Sequence, residues 1–194
     1  MKSILVLLGV IIISFIPQSS QAQGLIECAV LEVPRETGVQ LCETLAMTQE
    51  LNVVICPENG GDCLGTSQND CIVGSDFMDI IDAGKGDDLV FGFEGNDLII
   101  GGQDGDFLLG GNGEDVIEGG WGEDTICGGQ NDDVIDGGRC DDRLTGGISI
   151  PGQPAENDTC LGGKGLDSFQ FCASEEQGPD ETEDAPRCNS QDED

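Results

Sequence analysis

From Gly74 onward one pattern of polar and apolar positions recurs every nine residues. Written in nines, GSDFMDIID, AGKGDDLVF, GFEGNDLII, GGQDGDFLL, GGNGEDVIE, GGWGEDTIC, GGQNDDVID and GGRCDDRLT run without a gap to Thr145. A ninth unit opens at Gly146-Gly147, is interrupted around Pro151 and Pro154, and resumes as ENDTCL; a tenth, GGKGLDSFQ, ends at Gln170. The eighth position is apolar each time: Ile81, Val90, Ile99, Leu108, Ile117, Ile126, Ile135, Leu144, Cys160 and Phe169. One inward side chain per nine residues predicts a thin core built turn by turn. Repetition at this period is the mark of a solenoid, in which each unit buries its apolar side only against its neighbours.

The sixth position is aspartate in every unit: Asp79, Asp88, Asp97, Asp106, Asp115, Asp124, Asp133, Asp142, Asp158 and Asp167. Glycines at the first, second and fourth positions permit positive φ and let main-chain carbonyls converge. Where the fourth glycine is missing, Asp104 and Asn131 are the residue types that best tolerate the left-handed region, whereas Phe77, Cys140 and Glu156 are departures. A carboxylate added to converging carbonyls makes a hard, all-oxygen donor set, which suits Ca²⁺. The chain has no histidine for a zinc or copper site.

Units five, six and ten match GGxGxD in full, and the array resembles the hemolysin-type calcium-binding repeat, the RTX nonapeptide. That resemblance implies an all-β, right-handed parallel β-roll with six-residue turns and three-residue strands. Successive repeats would lie on alternate sheets, with each of several Ca²⁺ ions held between the turns of repeats n and n+2. The ten sixth-position aspartates are then the metal ligands. Ten repeats paired in this way allow about eight ions at most.

Stacked turns lie about 4.8 Å apart. Carboxylates ~5 Å apart at an effective dielectric of ~20 repel by roughly 3 kcal/mol, before screening. Summed along a ladder, that repulsion rivals the ~5 to 15 kcal/mol stability of a domain. The roll is therefore expected to fold only with its cation, so that metal binding and folding are one event.

Positions seven and nine flank the inward residue and face outward. In the early units they are apolar: Ile80, Leu89, Phe91, Leu98, Ile100, Phe107 and Leu109. Such a surface is expected to be covered, and the Cys-rich segment before residue 74 is the nearest cover. That segment, residues 23–73, carries Cys28, Cys42, Cys56, Cys63 and Cys71, a short helix over Glu43–Leu51 and a strand over Leu51–Cys56.

The two ends place the chain. Lys2, the apolar run Leu5–Ile16 and Ser20-Gln21-Ala22 form a secretory signal peptide over residues 1–22, too short in its apolar part to span a bilayer. The ten cysteines fit disulfides formed in an oxidising compartment, with their pairing open. The expected organisation is therefore 1–22 signal peptide, 23–73 Cys-rich cap, 74–172 β-roll and 173–194 acidic tail. The expected location is secreted, extracellular, periplasmic or at the cell surface.

With 39 acidic and 7 basic residues the formal charge is −32, which excludes nucleic-acid binding and disfavours anionic membranes. Lack of histidine removes the usual general base of a nucleophilic hydrolase, and among 39 acids any carboxylate pair is expected by chance. The reading is a secreted, non-enzymatic calcium-binding protein. Two alternatives stand beside it. One is a calcium-dependent adhesin or inhibitor that engages a protein or polysaccharide surface through the Cys-rich segment or the apolar roll face; the other is a small extracellular hydrolase.

Overall fold

A computed structural model describes residues 34–49, 51–147 and 157–177. The signal-peptide expectation, Cys28, Glu156, Cys188, the interruption in the ninth unit and residues 178–194 lie outside them.

Among the described residues one helix, α1 (Arg35–Gln49), precedes fourteen strands that are dealt alternately to two sheets. The first sheet contains β1 (Asn52–Ile55), β3 (Asp70–Val73), β5 (Leu89–Glu94), β7 (Phe107–Asn112), β9 (Thr125–Gln130), β11 (Arg143–Gly147) and β13 (Ser168–Gln170), in that spatial order. The second contains β2 (Gly61–Thr66), β4 (Asp79–Lys85), β6 (Leu98–Gln103), β8 (Val116–Trp121), β10 (Val134–Arg139), β12 (Thr159–Gly163) and β14 (Ser174–Gln177). Every pairing is parallel, and within the array equivalent positions of repeats n and n+2 face each other, as Leu108 does Ile126 and Ile117 does Ile135. The eighth-position residues form a single buried column between the sheets, extended toward the N-terminus by Ile72, Cys63 and Cys56.

Strands are longer, and turns shorter, than the six-plus-three division predicts. In β8, for example, the pairing runs from Val116 through Gly119-Gly120 to Trp121, so the glycine pair belongs to the ladder. The cause is close approach of backbones. Gly102 and Gly120 have φ of 120° and 111°, and a Cβ at Gly102 would collide with the carbonyl oxygen of Gly84. At Gly102 and Gly120 a side chain would have to displace the neighbouring backbone.

The roll also begins earlier and ends later than residues 74–172. Strands β1, β2 and β3 continue both sheets in the same register, with Cys63 opposite Ile81 and Ile72 opposite Val90. In the stretch expected to be tail, Ser174–Gln177 pairs with β12. Edge backbone there finds partners in the ladder, which outweighs the acidic composition that suggested a solvated segment.

The Cys-rich segment does cover an apolar face, though along the side of the roll. Helix α1, longer than the expected Glu43–Leu51 turn, packs Val39, Leu41, Cys42 and Leu45 onto Val73, Phe91, Leu109 and Cys127 of the first sheet. The Cys42–Cys71 disulfide fastens it to β3, and Arg35 reinforces it by donating to the carbonyls of Gly74 (2.5 Å) and Cys56 (2.9 Å). Cys56–Cys63 ties β1 to β2, and Cys160–Cys172 ties β12 to the segment before β14. Cys127 and Cys140 are disulfide-bonded as well. On the second sheet no such cover among the described residues lies over Ile80, Leu98, Val116 and Val134, which are 40%, 37%, 46% and 43% exposed.

Candidate calcium-binding turns

Each turn ends on its sixth-position aspartate, which stands just before the strand or, for Asp79, at its first residue. Two ladders result: Asp79, Asp97, Asp115, Asp133 and Asp158 lead into the second sheet, and Asp88, Asp106, Asp124, Asp142 and Asp167 into the first. The structure therefore brings all ten predicted residues into two files. It adds an eleventh, Asp70, whose main-chain N–H donates to Oδ1 of Asp88 at 2.7 Å.

One hydrogen bond defines the files. From Asp88 on, Oδ1 of each aspartate accepts the main-chain N–H of the aspartate two repeats earlier: Asp79 to Asp97 and Asp97 to Asp115 at 2.8 Å, Asp115 to Asp133 at 2.9 Å, Asp133 to Asp158 at 3.0 Å. In the other file Asp88 donates to Asp106 and Asp124 to Asp142 at 2.9 Å, Asp106 to Asp124 at 2.8 Å, and Asp142 to Asp167 at 2.9 Å. The seven-residue interruption in the ninth unit changes none of this, since Asp133 and Asp142 find their partners twenty-five residues on instead of eighteen.

The second carboxylate oxygen has a different fate. Oδ2 of Asp88, Asp97, Asp106, Asp115, Asp124 and Asp142 is buried and accepts no hydrogen bond. A buried polar group in that condition costs about 1–3 kcal/mol, and more when charged. The Oδ2 atoms of Asp97, Asp106, Asp115, Asp124 and Asp142 lie beside a common kind of place, the space where a Cβ on the first-position glycine would be; in the repeat of Asp88 that position is Ala83, which carries a methyl group. At Gly119 that point lies 2.5 Å from Asp124 Oδ2 and 2.5 Å from the carbonyl oxygen of Gly137, two repeats on; at Gly101 it lies 2.5 Å from Asp106 Oδ2 and 2.6 Å from the Gly119 carbonyl. A carboxylate of repeat n and a carbonyl of repeat n+2 thus converge on a gap that the missing side chain leaves. Among the described residues no three His, Cys, Asp or Glu side chains converge on one point, so main-chain carbonyls would supply the other oxygens. An all-oxygen set of this kind fits Ca²⁺, which takes six to eight oxygens in flexible geometry.

Electrostatics support the fit, with a change of emphasis. Burial pushes Asp88, Asp97 and Asp124 up to about 7, Asp115 to about 6, Asp142 to about 8 and Asp106 to about 9; the main-chain N–H donors pull the other way. Neighbouring carboxylates raise Asp88, Asp97, Asp106 and Asp142 further, but the loss of water outranks mutual repulsion in each. Repulsion across the ladder, the cost anticipated from spacing, is thus the smaller part of the demand for a cation.

The fourth-position substitutions divide. Asp104, Asn131 and Cys140 hold φ of 74°, 81° and 90°, so each takes the glycine conformation and Cys140 leaves its turn intact. At the second position Phe93 does the same with φ of 80°. Trp121, at the third position and 45% exposed, carries the Arg139 guanidinium 3.9 Å from its ring centroid, a cation–π contact between adjacent strands.

Comparison with known proteins agrees with the geometry. Residues 73–108, 100–135 and 128–148 match the family model of the RTX calcium-binding nonapeptide repeat (4 copies). No curated protein and no solved structure matches the chain. The stretch from 73 to 148 is an array of RTX calcium-binding nonapeptide repeats, wound into a parallel β-solenoid.

Proposed function

We propose that this chain is a secreted, non-enzymatic protein whose roll sets on binding several Ca²⁺ ions. The observation that carries the reading is the set of buried Oδ2 atoms with no proton donor, those of Asp97, Asp106, Asp115, Asp124 and Asp142 each beside a carbonyl two repeats further on. Asp88, Asp97, Asp106, Asp115, Asp124 and Asp142 would each give one charged oxygen, and the glycine-rich turns the neutral ones. Calcium would neutralise carboxylates that the fold has already stripped of water, so affinity and folding rise together. The disulfides fit an oxidising, extracellular setting, where calcium modules work at ~10⁻⁴ to 10⁻³ M. Calorimetric titration of calcium into chelator-stripped, oxidised protein tests the reading, with magnesium in parallel. Several ions should bind with magnesium unable to replace them; a flat calcium titration sinks the proposal.

A second reading, a calcium-dependent binding module, draws on one observation. Ile80, Leu98, Val116 and Val134 stand in register as an exposed apolar row on the second sheet, whereas α1 covers the corresponding side of the first. A partner would use that row, with calcium holding the scaffold straight. Replacing Leu98 and Val116 by threonine should leave calcium binding intact and abolish capture of any such partner.

A further inference from the structure

The two N-terminal turns differ from the rest at one position. In the seven repeats from Ala83 to Thr145 the second residue has positive φ: Gly84 (106°), Phe93 (80°), Gly102 (120°), Gly111 (120°), Gly120 (111°), Gly129 (125°) and Gly138 (101°). The equivalent residues of the two turns before them are Thr66 and Ser75, neither of which does. Their amides turn toward the aspartate instead. Ser75 N–H donates to Asp79 Oδ2 at 2.6 Å. Thr66 N–H donates to Asp70 Oδ2 at 2.6 Å, and the Thr66 hydroxyl lies 2.9 Å from the same oxygen and 3.1 Å from Oδ1.

The cradle changes accordingly. A Cβ at Gly74 would be 3.1 Å from Asp79 Oδ2, where at Gly101 and Gly119 the matching distance is 2.5 Å; at Gly65 the three nearest atoms all belong to Ala83, with no carboxylate oxygen among them. The oxygen left over on Asp79 is Oδ1, which is buried without a hydrogen-bond partner. A protein N–H thus stands where downstream turns present a bare oxygen to the gap.

We infer that the turns of Asp70 and Asp79 take no cation, and that with α1 and the Cys42–Cys71 and Cys56–Cys63 bridges they form a calcium-independent nucleus on which the later repeats assemble. The inference rests on the calcium reading above. Its physical content is an exchange of ligands: a hydrogen-bond donor fixed in the chain takes over the work of an ion, so Oδ2 of Asp70 and of Asp79 is satisfied at any calcium concentration, with Asp79 Oδ1 the one oxygen of the pair left bare. Each later turn then adds to an existing sheet edge, and calcium-driven folding proceeds from the N-terminal end without having to create its first turn.

Hydrogen exchange read by mass spectrometry on the full oxidised chain, in chelator and in millimolar calcium, tests this. In chelator, peptides from α1 through β4 should be protected while those from Asp88 to Thr145 exchange freely; calcium should protect the latter. Calorimetry gives an independent readout. Asp70→Asn should leave the number of calcium ions unchanged, Asp106→Asn should remove one, and Ser75→Gly should add one while ending protection of its turn in chelator. If calcium protects the array but residues 61–82 exchange freely in chelator, or if Asp70→Asn also costs an ion, the nucleus is wrong and the calcium reading stands. If calcium protects nothing, the calcium reading itself falls.

Discussion

Asp106 donates its main-chain N–H to Oδ1 of Asp124 at 2.8 Å, eighteen residues further along the chain. That bond uses one oxygen of each aspartate to hold consecutive turns of a file together and leaves the other facing a gap. Structural and ligand roles are thereby divided within one carboxylate. An asparagine keeps the first and lacks the charge of the second.

Asp124→Asn should therefore act with opposite signs in two conditions. In chelator the variant loses a buried charge and should be as stable as the parent or more so. In calcium it loses a ligand, and the midpoint of the calcium titration should rise severalfold, with thermal melts in both buffers as the check. Asp124→Ala removes the acceptor of the Asp106 amide as well and should cost about 1–3 kcal/mol in calcium, where the array is folded.

The raised carboxyls predict how pH acts on the cation-free roll. Their folded values, from about 6 for Asp115 to about 9 for Asp106, lie above the ordinary 3.8, so the folded state binds more protons than the unfolded one across that interval. Stability without calcium should accordingly be greatest at low pH and decline as pH rises from about 4 to 9. Calcium affinity should run the other way, because each ligand must lose its proton first. Denaturant melts in chelator at pH 5 and pH 8 should show the acid sample more stable; the reverse order would contradict the burial of these groups.

Two glycines separate packing from composition. Gly119→Ala puts a methyl 2.5 Å from both Asp124 Oδ2 and the Gly137 carbonyl oxygen, in the gap itself, and should abolish that calcium site and cost about 1–3 kcal/mol. Gly105→Ala meets nothing closer than the Glu123 carbonyl at 3.1 Å and should change stability by about 1 kcal/mol at most. Calcium titrations of the two variants compare them directly.

Helix α1 depends on its bridge. Replacing Cys42 and Cys71 by serine should destabilise by about 2–4 kcal/mol and release α1 from Phe91 and Leu109, seen as faster proteolysis within residues 35–49. The calcium ligands do not touch the bridge, so the array should still respond to calcium.

Much of this was legible in the sequence because each repeat is a complete instruction: an inward aliphatic residue, a glycine pair and an aspartate at fixed offsets. The column from Ile81 to Phe169 and the recurring aspartate follow from spacing, and the alternation of sheets, with the files it creates, from the resemblance to the RTX repeat. Asp70 escaped notice although it stands nine residues before Asp79, with Ile72 at the inward position, because GTSQNDCIV lacks glycine at its second and fourth places. That substitution is what turns the Thr66 amide onto the carboxylate, so the feature that hid the repeat also gives it different chemistry. The dominance of burial over repulsion could not be read from spacing, since it depends on how closely the glycine backbones pack. Nor could the side-on docking of α1, whose Val39, Cys42 and Leu45 make a narrow apolar stripe with a destination only a folded roll supplies.

The most direct test of the central claim is far-UV circular dichroism of the oxidised protein during a calcium titration, with magnesium as control. A partial β signal in chelator that rises cooperatively to a plateau with calcium, unmoved by magnesium and lost on combining Asp115→Ala with Asp124→Ala, is the predicted result. A full β signal in chelator at neutral pH, indifferent to calcium, would contradict it and show that packing and disulfides alone hold the roll.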